Sequence, residues 1–205
     1  MTNVVYPDSI EPELYPNTST FVNHLGIRDR SALLDKEADF TAIRSIELIQ
    51  QTDLIKQTFD FYHLKAIHYY LFQDLYAWAG MPRSYNMKKG GDIFTPANKL
   101  PGYETEVFSQ SIDVFNLNKR PSTSETTISL ARCLGIINIF HPFPEGNGRA
   151  QRLFISSLAR MHQYSLNWSR VHPWEIVETS KAVHKGNYAP LEHLMNRIIL
   201  DDNQP

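Results

Sequence analysis

Cysteine is nearly missing from this chain. Cys133 is the only one in 205 residues, so no internal disulfide can form and no cysteine-based metal centre can assemble. A reducing compartment suits that usage, and Cys133 lies in an apolar helical run, where a thiol packs as a small hydrophobe. An excess of either charge is missing as well. The 20 basic and 22 acidic residues leave a net charge of −2, which gives no general affinity for nucleic acid or anionic membranes. No apolar run reaches the roughly 20 residues that span a bilayer. The N-terminus carries Asp8, Glu11 and Glu13 and has no apolar core of signal-peptide length. The expectation is a cytoplasmic chain that meets neither nucleic acid nor membrane. No HExxH pattern occurs, and His63 and His68, five apart, are misaligned on a helix face, so no zinc site is expected.

What remains is enough for a real core: 42% hydrophobic residues with 20% charged, in a length that suits one domain. Residues 1–24, with Pro7, Pro12 and Pro16, read as an extended lead-in that can wrap over a domain occupying 25–205. Asp29 or Ser31 can cap a helix whose apolar spacing takes in Leu33, Leu34, Ala38, Ile43, Ile46 and Ile49. A second helix follows Asp53 or Asp60 and runs through Phe61, Leu64, Ile67, Leu71, Leu75 and Trp78 to a stop at Gly80 and Pro82. Residues 83–97 read as a β-hairpin around Lys88-Lys89-Gly90-Gly91-Asp92. A third helix starts near Ala97, is interrupted at Pro101-Gly102, and runs to about Leu117. A fourth leads from Thr126 or Thr127 to Phe140. A fifth spans Arg149 to Gln163, with Leu153, Leu158 and Met161 inward. His172-Pro173-Trp174-Glu175 opens a sixth, and a last helix spans Ala189 to Leu200. The fold class is all-α with one hairpin.

The chemistry concentrates between the fourth and fifth helices. Residues 141–152 read His-Pro-Phe-Pro-Glu-Gly-Asn-Gly-Arg-Ala-Gln-Arg. Backbone N–H groups at a helix start, loosened by Gly146 and Gly148, form an anion-binding concavity. Arg149 and Arg152 share a helix face, and arginine makes charge-assisted, bidentate phosphate contacts. Glu145 can hold Mg²⁺, which usually takes one or two carboxylates plus phosphate oxygens. His141, whose reference pKa lies near neutrality, can act as a general base. Together these suggest transfer of a phosphate-containing group from a nucleotide to a hydroxyl. Each also has a plain alternative: a helix-end histidine, a solvated loop acid, an ordinary turn, two exposed arginines. Phe143 reads as the core anchor of the loop.

The same residues resemble the signature of the Fic family, His-x-Phe-x-Asp/Glu-Gly-Asn-Gly-Arg-x-x-Arg, at every fixed position. Tyr76-Ala77-Trp78-Ala79-Gly80, Arg83 and residues 88–94 are similar to that family's segment before and through its flap, and the likeness extends from about Tyr15 to Leu200. The resemblance implies the Fic helical bundle with the hairpin as a flap over the active site. It implies AMP transfer from ATP, with Mg²⁺, to a hydroxyl of a target protein bound along the 83–97 flap. By motif position, His141 is the base and Glu145 the metal ligand. Gly146, Asn147 and Gly148 donate to phosphates, and Arg149 and Arg152 hold the β- and γ-phosphates. Lys89 and Gly90 contact nucleotide or target, or else form a wet hairpin tip.

Regulation is read from a further absence. The family's inhibitory helix, Ser/Thr-x-x-x-Glu-Gly/Asn, has no match: Ser9 and Glu13 alone have the spacing, with Pro12 between them and Leu14 after. A separate antitoxin supplying a glutamate to Arg152 is therefore expected. The main variant is an effector translocated into another cell. Phosphoryl, other nucleotidyl or phosphocholine transfer is the alternative chemistry, and Gly148, where the kinase-like branch carries Lys, argues against phosphorylation. A binding module that keeps only the fold is the non-enzymatic reading.

Overall fold

Helix caps written in the sequence set most of the architecture. The computed structural model describes residues 9–89, 91–112 and 121–202. Asp29 accepts from the Ala32 N–H at 2.8 Å to open α1 (Arg30–Gln50). Asp60 accepts from the His63 N–H at 3.0 Å to open α2 (Phe61–Phe72). These bonds satisfy helix-start donors that have no intrahelical acceptor. The expected hairpin follows, with β1 (Lys88–Lys89) antiparallel to β2 (Asp92–Ile93). One 3₁₀ turn, Ala97–Lys99, leads to α3 (Leu100–Ile112), broken at Pro101 and Gly102 as their chemistry requires. The expected end of that helix near Leu117 lies outside the described residues.

Ser122 and Glu125 close a reciprocal capping box at the head of α4 (Thr123–Phe140). The helix thus starts earlier than Thr126. After the motif loop come α5 (Asn147–Met161), β3 (Tyr164–Leu166), α6 (Pro173–His184), α7 (Ala189–Ile198) and β4 (Ile199–Asp201). α4 is the central helix, packed by α3, α5, α6 and α7. Its Leu130, Ala131, Ile137 and Phe140 are fully buried, each large side chain contributing about 1.5–3 kcal/mol of burial. The lead-in lies against the domain: Ile10 donates to Pro82 O and accepts from the Ser84 N–H at 2.7 and 2.8 Å, and the Phe21 ring meets Tyr76 and Trp78 edge-on.

Four expectations need correction. α1 is rotated from the face its aliphatics suggested. Leu33, Glu37, Thr41 and Leu48 face inward, while Leu34 is about half exposed and Ile43, Ile46 and Ile49 each more than half. Two inward positions are polar, so hydrophobic periodicity alone selects the wrong stripe. α2 stops at Phe72, not Trp78, because the chain there folds into turns. Leu75 and Tyr76 donate to the Phe72 carbonyl and Ala79 to Tyr76, so Leu75 and Trp78 reach the core without helix. In α5, Leu158 is buried but Leu153 only partly, and Met161 is exposed. The hairpin is not the only sheet. β3 pairs antiparallel with β4, which takes Ile199 and Leu200 out of the expected last helix. Only the fold brings those strands together.

Burial depresses two histidines. His63 falls to about 4 and His68 to about 3, both chiefly through desolvation. Their folded-state pKa values lie below the unfolded value, so their neutral forms cost nothing above pH 6.5 and oppose folding as the pH drops below it. Urea denaturation at pH 5 should therefore show a loss against pH 7 of about 2 kcal/mol per histidine. His68→Gln, which keeps one acceptor and one donor, should shrink that loss. Equal stability at the two pH values in the unaltered protein would refute this account.

Candidate active site

The loop between α4 and α5 has no ladder of its own, and side chains give it shape. α4 closes on His141 in a left-handed conformation, φ 44° and ψ 61°, and Pro142 prevents continuation. The Asn147 amide then grips the loop from inside: Oδ1 accepts from the Phe143 N–H at 2.9 Å and Nδ2 donates to Phe143 O at 2.7 Å. At the first position of α5, the Asn147 backbone N–H has no intrahelical acceptor. Phe143 is fully buried and stacks on His68 at 3.9 Å, the anchor its sequence context suggested.

His68 supports the loop from beneath. The Gly80 N–H donates to its Nδ1 at 2.9 Å, so the ring proton sits on Nε2, which donates to the Glu145 carbonyl, also at 2.9 Å. This fully buried histidine was weighed in the sequence only as a metal ligand. Its structural partners are 12 and 77 residues away, beyond any local pattern.

His141 has a fixed tautomer. Its Nδ1 lies 3.1 Å from the Asn138 carbonyl, which can only accept, so Nδ1 carries the proton and the lone pair of the uncharged ring is on Nε2. Phe94, from the end of the flap, stacks on the imidazole at 3.8 Å. The ring lines a cavity of about 270 Å³ together with Glu145, Gly148 and Arg152. Flap residues Met87 and Asp92 form one wall, and Ile176, Val177 and Ser180 of α6 another. Asn147 and Gly148 open α5 at this cavity, and the first N–H groups of a helix have no intrahelical acceptor. An anion is favoured there.

The two motif arginines part company. Arg152 lines the cavity, and burial first, then the Arg149 charge, pulls its pKa down. It pairs with no carboxylate among the described residues. Arg149 turns towards α1, where its Nη2 meets Glu37 Oε2 at 2.7 Å and its Nη1 lies 3.4 Å from Thr41 Oγ1. Its guanidinium covers the Phe72 ring at 4.8 Å and lies 3.8 Å from Glu145 Oε1. Glu37 is buried and also accepts from the Tyr76 hydroxyl, whose pKa burial drives far up. Sequence reading missed Glu37 and Tyr76, and their signal was available only in part: an acid inside an inward helical stripe at Leu33 and Thr41. Lys89 contributes its backbone to β1 opposite Asp92, while Gly90 lies outside the described residues.

Gly146 is the strictest position in the loop. It sits at φ 78°, and an added Cβ would collide with the Phe72 ring and come 3.2 Å from His68 Nε2. At Gly148 the nearest atom would be Arg152 Nη1 at 3.5 Å, an ordinary contact. Gly146→Ala should thus cost about 3 kcal/mol in urea denaturation, from left-handed strain plus overpacking. Gly148→Ala should cost under about 1 kcal/mol. Equal losses for the two would contradict this geometry.

With the geometry established, comparison with known proteins is informative. Residues 58–159 match the model of the Fic/DOC family. The chain is 34% identical over 196 residues to the protein adenylyltransferase VbhT of Bartonella schoenbuchensis, covering 96% of this chain and 40% of that protein. It is 30% identical over 189 residues to the probable protein adenylyltransferase y4lH of Sinorhizobium fredii, covering 92% of this chain and 96% of that protein. Among solved structures, the type IV secretion system effector protein BepA superposes with a TM-score of 0.82 at 29% identity, over 91% of this chain and 67% of that one. The BepC protein of Bartonella tribocorum, with bound AMPPNP, shares the fold with a TM-score of 0.84 at 23% identity, over 92% and 96%. With the near full-length match to y4lH and the motif loop seated in a helical bundle beneath its hairpin, the chain belongs to the Fic/DOC family.

Proposed function

We propose that this chain transfers AMP from ATP to a hydroxyl side chain of a target protein. The observation that carries the reading is the His141 tautomer. The Asn138 carbonyl holds the Nδ1 proton, so Nε2 is the basic nitrogen of a ring that lines a cavity shared with Arg152 and the start of α5. Relatives named as protein adenylyltransferases and the AMPPNP bound in BepC support ATP as donor.

In the step proposed, Nε2 takes the proton of the acceptor hydroxyl. That oxygen attacks the α-phosphorus in line, the bond to the β-phosphate oxygen breaks, and pyrophosphate leaves. Protein side chains do little covalent work here; positioning and placed charge lower the barrier. The N–H groups of Asn147 and Gly148 and the Arg152 guanidinium face the phosphates. The apolar wall of Leu134, Ile176 and Val177 takes the base. Glu145 fits Mg²⁺: its carboxylate is about half exposed, lines the cavity, and is a hard oxygen donor. Among the described residues no group of three or more His, Cys, Asp or Glu forms an all-protein cage. When bound, Mg²⁺ would neutralise phosphate charge.

The target's acceptor segment would add as a strand along the flap, beside β2, whose Ile93 is 71% exposed. Arg152, without a carboxylate partner among the described residues, leaves room for restraint by a separate antitoxin glutamate. The effector-type relatives equally support delivery into another cell. No helix among the described residues is long and apolar enough to cross a membrane.

Incubating the purified protein with Mg²⁺ and a cell lysate, with α- and γ-labelled ATP in parallel, tests the chemistry. Protein should be labelled from the α position alone. His141→Ala should lower labelling by at least about a hundredfold and leave ATP affinity within about twofold, since the ring acts on the hydroxyl and not the phosphates. Label from γ would establish phosphoryl transfer instead.

A further inference from the structure

Arg83 is a fully buried arginine with no carboxylate partner among the described residues. A lone buried charge is costly, so its neighbours must account for it. All three guanidinium nitrogens donate to main-chain carbonyls. Nε reaches His141 O at 2.9 Å, Nη1 reaches Tyr85 O at 2.6 Å, and Nη2 reaches Thr95 O at 2.6 Å. Charge-assisted bonds of this kind are about twice as strong as neutral ones. The His141 carbonyl also belongs to the C-terminus of α4, where the helix dipole is negative.

The three acceptors are not a random set. Tyr85 and Thr95 stand on the two arms of the flap, outside β1 and β2, and His141 is the proposed base. The Arg83 main chain adds a further link, its N–H donating to Pro142 O at 2.8 Å. Thr95 is independently tied to α4, with its N–H and hydroxyl both donating to Ile139 O, at 3.0 and 3.2 Å. Yet Arg83 does not line the cavity. Its contacts can affect the reaction only through the residues it holds.

We propose that Arg83 is a positioning residue: one guanidinium fixes the distance between the target-binding flap and the His141 base. A segment paired with the flap can then present its hydroxyl to Nε2 in one register. A lysine, with a single point of charge, cannot span three carbonyls set around a planar fork. The reaction part of this inference rests on the AMP-transfer reading above; the geometric part does not.

The test separates the two. In proton NMR of the ¹⁵N-labelled protein, the hydrogen-bonded His141 Nδ1–H should give a low-field imidazole resonance, assigned by its loss in His141→Ala. The buried His68 Nε2–H provides a second such resonance as a marker of the intact fold. Arg83→Met should lose the His141 signal and keep that of His68; Arg83→Lys should weaken the first and keep the second. Should the methionine variant fail to fold, the lysine variant decides by the same two signals. In the labelling assay the folded variant should show a maximal rate lower by on the order of a hundredfold, as for reacting groups displaced by about 1 Å, with KM for ATP within about twofold. Both resonances surviving at undiminished intensity in either variant would overturn the clamp, as would loss of both in both variants, which makes Arg83 a packing residue only. Unchanged labelling despite a lost His141 signal would overturn its role in transfer. An unsubstituted protein that transfers no AMP would overturn the activity reading and leave the spectroscopic result standing.

Discussion

The structure depends on one constraint: residues 141–147 run between two helix ends, where buried backbone polar groups need partners that the loop's own main chain does not supply. Three side chains meet that need, two from elsewhere in the chain and one from the end of the loop. Arg83 takes the His141 carbonyl, His68 takes the Glu145 carbonyl, and Asn147 takes both polar groups of Phe143. The catalytic geometry follows from this accounting. Once those bonds are made, His141 faces the cavity, Glu145 reaches its mouth, and α5 starts with its N–H groups towards the same space.

Local chemistry was legible in the sequence and long-range chemistry was not. The caps at Asp29 and Asp60, the hairpin around Gly91 and the break at Pro101-Gly102 each involve residues within a few positions of one another. The motif could be read because its spacing alone places a helix end, a turn and a helix start. Glu37 shows the opposite case. It lies 112 residues from Arg149 and 39 from Tyr76, and nothing beside it signals either partner. The same distance problem misdirected α1. Its exposed isoleucines have better apolar spacing than its true inner stripe, which the buried acid and Thr41 make look polar.

His68 and the early end of α2 are connected in this way. The His68 ring, stacked on Phe72 at 4.6 Å and on Phe143 at 3.9 Å, accepts from Gly80 only if the chain turns back after Phe72. Continuing the helix to Trp78, as periodicity suggested, would carry Gly80 away from Nδ1. The turn therefore serves the loop: it orients the ring whose other nitrogen holds Glu145. Propensity loses here to a tertiary bond, as it commonly does when the group concerned is buried and polar.

The division between the two motif arginines has an electrostatic logic. They stand three residues apart in a partly dry site, where burial first, and then the Arg149 charge, pulls the pKa of Arg152 down. Two guanidinium groups there without a carboxylate would repel each other. Glu37 removes that conflict by pairing with Arg149 on the far side, and the Tyr76 hydroxyl satisfies the same carboxylate. Arg149 remains 3.8 Å from Glu145 Oε1, which also accepts from the Gly146 N–H at 2.9 Å. Among the described residues the cavity is thus lined by a guanidinium without a carboxylate partner, a half-exposed carboxylate and the imidazole of His141. That combination is suited to binding a polyphosphate in a single orientation and removing a proton from a hydroxyl placed against it.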